Sequence, residues 1–318
     1  MAGMTWAEQS GYLTNNKLNR DFQKQAQPLQ RFRQFVDVKE AFGKQQGQTV
    51  NWLKVANVGT LGGVILETNT MNETTQSLSW GTLTVNEYGD SIPLTFKLET
   101  LSEFDVKEII RAGLLDDAVK VMDGEIERQF NSTTTRYVGL TTTSGSVTTN
   151  GTATTTNTSV LNSYHTRKMR LELEKRNVPT FDGDYVMIAS LEAAEGLEGA
   201  MESIYQYTEL GIDKVFSGEI GRVHGVRVVK DGWATRFVYN STLRTATAPT
   251  WTTGNSFPAY VFGARTVREA FAVPEEIRLK VVTDYGRSKG IAWYFLGGWK
   301  IEWSDDTNSR IVKWDSAG

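Results

Sequence analysis

Apolar and polar positions are most clearly patterned between Trp80 and Phe130. First, Leu83 and Val85 fall on one side while Thr82, Thr84 and Asn86 fall on the other. Next, Ile92, Leu94, Phe96 and Leu98 alternate with Ser91, Pro93, Thr95 and Lys97. A period of two predicts two strands, each with one covered face and one wet face. At Ser102 the period lengthens. Ala112, Leu115, Val119, Met122, Ile126 and Phe130 recur every three or four residues, which is the stripe of one helix. Ser102 is a favoured N-cap, and Asp105 approximates a capping box three residues on. A helix of about 28 residues would run roughly 42 Å at about 1.5 Å per residue. An ordinary domain helix has about 11–12 residues. Beside a long two-stranded arm, this length suits a flat, extended subunit better than a compact enzyme.

Residues 1–48 are polar and rich in Gln and Asn, with one apolar patch at Leu29, Phe32, Phe35, Val36 and Val38. They read as an arm that needs a partner surface, with a short helix over Val36–Phe42. Residues 49–92 read as a long hairpin whose loop spans Asn69–Ser79. An isolated two-stranded ribbon is marginal in water, so it should lie on its own chain or on a neighbouring copy. Residues 131–160 are a threonine tract in which only Tyr137, Val138 and Leu140 suggest a strand; an exposed loop or loosely paired ribbon is expected. An α/β region follows. Leu161–Arg176 is a helix stopped by Asn177 and Pro179. DYVMIAS, apolar on both faces, is a central strand. Ser190 caps a helix carrying Leu191, Ala194, Leu197, Met201 and Ile204. Val226–Val229 and Ala259–Ala264 are further strands. The end is all strand: Ile277, Leu279 and Val281 alternate, Ala292–Trp303 is broken at Gly297-Gly298 by a bulge or bend, and Ile311–Trp314 adds one more.

With 318 residues the chain can bury one large core or divide in two. Its net charge of −3 gives no bulk attraction for nucleic acid. Without cysteine there are no disulfides and no thiolate metal sites. No apolar run is long enough to span a membrane, and the start has neither the basic flank nor the apolar segment of a signal peptide. A soluble protein made in the cytoplasm is expected. The two histidines stand alone, His165 reading as a helix-surface residue and His224 as a turn residue. No GxSxG, Walker A or GxGxxG stands in its strand–turn–helix setting. Gly59, Gly62 and Gly63 have no following helix to lend a phosphate site, so they read as a bend. Adjacent carboxylates such as Asp116–Asp117 do not face one cleft. Arg167, Lys168 and Arg170 are opposed by Glu172 and Glu174 on one helix, a surface ion-pair pattern. No catalytic residue, metal site or cofactor is expected. The nine tryptophans point to cores and interfaces instead.

Two blocks carry a family likeness. One is WGTLTVNEYGDSIPLTFKLETLSEFDVKEIIRAGLLDDAVKVMDGEIERQF, with Tyr88-Gly89 leading into an alternating strand and the long helix. The other is FSGEIGRVHGVRVV, with Phe216, Gly218, Glu219, Ile220, Gly221 and Gly225. VKEAFGKQQGQTVNW and RNVPTFDGDYVMIAS agree more weakly. In this order they resemble the major capsid proteins of tailed bacteriophages with the Hong Kong 97-type fold, and within these the coliphage N-four-like family. The likeness spreads over about residues 30–300, and the threonine tract departs from it.

The resemblance implies an α+β fold. Residues 1–48 would be an N-terminal arm and 49–92 an extended loop over an adjacent subunit. Residues 93–160 and 265–304 would be a peripheral domain with a spine helix at 102–130, 161–264 an axial domain, and 305–318 a C-terminal strand and tail. It implies a structural protein of the virion, assembled in the host bacterial cytoplasm into pentamers and hexamers of a head enclosing double-stranded DNA. Expected contacts with neighbouring copies are Phe32 and Phe35 on the arm, Trp52, Leu61, Ile65, Met71 and Trp80 on the hairpin, and Glu219 and Arg222 in the GEIGR turn. Some relatives crosslink a loop lysine to a neighbour's asparagine; no lysine lies between Val55 and Phe96, so that crosslink is not expected here. The segment before the hairpin is too short for a built-in scaffold, so a separate scaffolding protein is expected, with a portal, a decoration protein and non-specifically packaged DNA, and no membrane. The rival reading is a threonine-rich receptor-binding module of a virion surface or tail.

Overall fold

A computed structural model describes residues 31–39, 47–55, 62–67, 70–149, 159–205, 219–232, 238–240, 245–247, 258–305 and 307–314. One turn of 3₁₀ helix (Arg33–Phe35) leads into β1 (Asp37–Lys39), then β2 (Thr49–Val55), β3 (Leu78–Thr84) and β4 (Asn86–Thr95). Helices α1 (Phe96–Leu101) and α2 (Val106–Asn131) precede β5 (Arg136–Thr141) and β6 (Ser144–Thr148). Then come α3 (Ser163–Lys175), β7 (Tyr185–Ser190), α4 (Leu191–Tyr205), β8 (Glu219–Val223), β9 (Val226–Asp231), β10 (Val238–Asn240) and β11 (Thr245–Thr247). The last elements are β12 (Ala259–Phe262), β13 (Val267–Leu279), β14 (Ser288–Ile301) and β15 (Ile311–Trp314).

Two larger sheets organise the chain. One has four strands in the order β1-β13-β14-β4; the other has seven, in the order β6-β5-β15-β12-β7-β9-β8. β2 and β3 form a separate ribbon, and so do β10 and β11. Strand β7 lies inside the seven-stranded sheet and is buried along its whole length. Its alternate side chains serve two layers. Met187 and Ala189 pack with Met169 and Leu173 of α3 and Ala194 and Leu197 of α4. Val186 and Ile188 join Tyr260, Phe262 and Ile311 against α2. The other flank of α2 meets Leu94, Ile291, Trp293 and Phe295 of the four-stranded sheet. Helix α2 is therefore shared by both sheets.

The long helix begins later than Ser102. Thr95 ends β4 and caps α1, its hydroxyl accepting from Leu98 N–H at 3.3 Å. The alternation of Phe96 and Leu98 thus continues as a helical turn and not as strand. Asp105 is the N-cap of α2, its carboxylate accepting from Lys107 N–H at 2.9 Å and Glu108 N–H at 3.3 Å. The stripe also differs in its first half. Val106, Ile110, Leu114, Ala118, Met122, Ile126 and Phe130 are buried, whereas Leu115 is 64% exposed. A four-residue step exceeds the 3.6-residue turn, so the buried line winds by about 40° per step, roughly 240° over the helix. One end can then face one sheet and the other end the second sheet.

Other expectations are corrected. Val36–Phe42 is not a helix where it is described: Asp37–Lys39 is β1, parallel to Arg268–Ala270. The threonine tract contains a true hairpin, because Tyr137 and Val138 are buried and β5 pairs in parallel with β15. The divisions expected at 160 and 305 cut across a sheet, since β5, β6 and β15 join the strands of 161–264. Register slips occur in β13, at Phe271/Val273 just past the partner of Gly297, and at Val273/Glu276 opposite Leu296 and Tyr294, while the two glycines themselves pair in regular register. Gly298 has a different reason to be glycine. A Cβ there would come within 2.4 Å of the Thr84 carbonyl oxygen, where the ribbon crosses the sheet.

Candidate assembly surfaces

The β2–β3 ribbon has a bound face and a bare one. In its antiparallel register Val50 opposes Leu83 and Trp52 opposes Gly81. This face packs on the four-stranded sheet, with Leu83 and Val85 against Ala270 and Leu296. The Trp52 ring lies over Gly81, and the Arg268 guanidinium sits 5.2 Å from its centroid. Lys54 is 5.2 Å above the Trp303 ring. Trp52 therefore anchors the ribbon to its own subunit. On the opposite face Leu53 pairs with Trp80 and Val55 with Leu78. Trp80 is 70% exposed, and the other three are also exposed. Val64, Ile65, Leu66 and Met71, in the chain between β2 and β3, are exposed as well. Residues 56–95 contain neither lysine nor arginine, so this surface is apolar with an acidic bias from Glu67 and Glu73.

A second bare apolar surface lies at the far end of the four-stranded sheet. Ile277, Leu279, Val281, Val282 and Tyr285 are exposed there, with Phe96 of α1 beside them. The Phe96 N–H bonds to the Arg287 carbonyl, and Lys289 lies 4.9 Å over the Phe96 ring. The turn between β13 and β14 holds Asp284 and Tyr285 at φ of 56° and 51°, which is rare for such residues, and presents Tyr285 fully to solvent.

The remaining expected contact residues fall differently. Phe32 and Phe35 are a correction: they lie in the chain's own core and offer no surface to another copy. Phe32 is 1% exposed, between Phe130 and Tyr260. Leu61 lies outside the described residues, as does the side chain of Glu219. Arg222 is half-exposed on β8 and pairs with the buried Asp184 at 2.5 Å, beside Arg227 at 3.2 Å. The GEIGR block ends in a two-residue turn, His224-Gly225, with φ of 50° and 73°, the type I′ geometry that suits a tight hairpin.

His165 is not the surface residue expected from the sequence. It is fully buried between Tyr137 and Trp314, with Tyr137 Oη 3.2 Å from Nδ1 and Ser159 Oγ 3.4 Å from Nε2. Burial lowers its pKa below the usual imidazole value. The spacing His165, Met169, Leu173 marks the covered face of α3 and was the available signal. Asp123 on α2 was also missed. Its carboxylate accepts from the N–H groups of Arg31, Phe32 and Arg33. Among the described residues no group of His, Asp or Glu is arranged to hold a metal ion, and no helix is long and apolar enough to cross a membrane.

No protein-family model matches the sequence. The search of curated proteins found no match either. Solved structures do match. The capsid of cyanophage P-SCSP1u superposes with a TM-score of 0.70 at 10% identity, over 98% of this chain and 94% of that one. The capsid of Ralstonia phage GP4 gives 0.68 at 12% identity, over 96% and 95%. The cyanophage Pam1 capsid gives 0.65 at 14% identity, over 96% and 97%. The fold is that of phage capsid proteins. These likenesses cover nearly the whole chain, while sequence identity is too low to carry more than architecture.

Proposed function

We propose that the chain is the major capsid protein of a tailed phage, a structural and non-enzymatic subunit whose copies form the pentamers and hexamers of an icosahedral head around double-stranded DNA. The ribbon is the observation that carries this reading: its root is fastened to its own subunit, and its far face is apolar and bare in a chain with the capsid fold. In Hong Kong 97-type terms the ribbon is the extended loop, α2 the spine helix, the four-stranded sheet the peripheral domain and the seven-stranded sheet the axial domain. Trp80, Ile65, Met71 and Leu61 would lie on an adjacent copy, with Glu219 and Arg222 near the capsomer centre. Each copy then presents different patches to successive neighbours, and rings and shell close by symmetry. Full burial of one such side chain is worth about 1.5–3 kcal/mol, and several contacts made together hold the shell. Kinship with the N-four-like family rests on the two sequence blocks quoted above. A scaffolding protein, a portal, a decoration protein and packaged DNA are partners on this reading, with assembly in the host cytoplasm.

The test is sedimentation and negative-stain imaging of the purified chain. Pentamers, hexamers or closed particles are expected. A trimer would favour the receptor-binding alternative, and a persistent monomer with the ribbon folded on itself would overturn both. A second readout follows from the lysine-free loop: particles boiled in detergent run as a single band at 35.5 kDa, whereas a ladder of covalent multimers would contradict the reading of the loop.

A further inference from the structure

The two bare apolar surfaces lie at opposite ends of the four-stranded sheet. Along the bound face of the ribbon, Val50 joins Ala270 and Leu296, Trp52 lies by Arg268, and Lys54 lies over Trp303, past the end of β14. The ribbon therefore runs outward from the end of the sheet where β13 begins and β14 finishes. The second surface, with Leu279, Val281, Tyr285 and Phe96, surrounds the turn at the other end, where β13 passes into β14. From Gly298, under the ribbon, to Ser288 at that turn, β14 covers roughly 33 Å at about 3.3 Å per residue. Within one copy the two surfaces stay apart and uncovered: Val64 is 98% exposed and Val281 83%. Charge divides them too. Beside the turn, Arg278, Arg287 and Lys289 have carboxylate partners in Glu276, Asp284 and Glu99. Lys97 and Lys280 have none among the described residues, and Lys280 bonds only to the Ser288 hydroxyl, at 2.8 Å. The chain between β2 and β3 is the reverse, since Glu67 and Glu73 make no ion pair among the described residues and no cation stands in residues 56–95.

We propose, resting on the reading of the ribbon as an arm laid on another copy, that the acidic apolar chain between β2 and β3 of one copy seats on the basic apolar turn between β13 and β14 of a second copy. Glu67 and Glu73 then face Lys97 and Lys280, and each copy gives one end and receives at the other. Such a contact joins two different patches, so it builds rings or arrays and not closed pairs. The division of labour is physical. Covering Val64, Ile65, Leu66 and Met71 together with Leu279, Val281 and Tyr285 supplies the strength. The exposed ion pairs add little of it. They set the direction, because either patch laid on its own kind would bring like charges together.

The chain has no cysteine of its own, which makes the contact directly readable. Met71→Cys and Val281→Cys, both at exposed positions, are made in separate batches, assembled together and treated with a flexible bis-maleimide. Linked dimers should appear in the mixed particles and not in particles of either variant alone, and peptide mass spectrometry should join position 71 to position 281. Assembled particles without such dimers, or dimers formed as freely by Val281→Cys alone, would overturn the proposal and leave the shell reading standing. A wild-type chain that forms no particles would overturn both. Charge reversal gives a second test. Glu67→Lys with Glu73→Lys should abolish closed particles, and adding Lys97→Glu with Lys280→Glu to the same chain should restore them. Full assembly of the first variant, or no recovery in the second, would count against the pairing.

Discussion

The root of the arm and the β2–β3 ribbon start from the same deficit, since neither has enough apolar residues to build a core of its own. They resolve it differently. Phe32 and Phe35 are taken up by their own chain, among Phe130, Tyr260 and Phe262. Leu53, Val55, Leu78 and Trp80 are left bare on a ribbon whose other face is already bound. An apolar patch in a poor segment therefore says that a cover is needed, not which chain supplies it. The register supplies the missing information: on the ribbon, the odd positions of β2 and their partners point away from the body.

The comparison can be broken most easily at its buried end. Phe32→Ala should cost about 3–5 kcal/mol in chemical denaturation of the unassembled chain, because it empties a fully packed aromatic site. A cost below about 1 kcal/mol would mean that the arm root is not part of the subunit core. Gly298→Ala should cost about 1–3 kcal/mol, since its Cβ would press on the Thr84 carbonyl and lift the ribbon's root; raised exchange of β3 amides would locate the damage. His165 sharpens the contrast through pH. Its folded-state pKa is depressed, so the unfolded chain binds more protons below about 6.5, and stability falls as the medium is acidified through that region. Replacement by Gln should remove this part of the pH dependence, read from melting curves. The smallest change in stability is expected at the bare end. Trp80→Ser should leave unfolding within about 0.5 kcal/mol of wild type while lowering the yield of closed particles. A loss as large as that of Phe32→Ala would show that the ribbon's outer face is covered by its own chain.

Much of this was legible in the chain. The central strand at Tyr185–Ser190, its Ser190-capped helix and the hairpin of Thr49–Val55 with Leu78–Thr84 follow from local pattern, because period and caps are local properties. What escaped depends on neighbours distant in sequence. β3 and β4 are consecutive and both alternate, yet they pair in different sheets. The threonine-rich hairpin is held by β15, more than 160 residues later. Asp123 looked like any helix acid, since its partners are backbone groups some 90 residues away. Mixing three- and four-residue spacings puts Leu115 on the covered stripe, whereas the buried apolar residues of the helix keep to four.

That strict spacing has a mechanical consequence. Over 26 residues, about 39 Å, the apolar line of α2 runs like the thread of a screw held by a nut at either end. Rolling or sliding the helix would strip the fit at both ends at once. A change of shape in this chain would therefore bend the rod more readily than turn it.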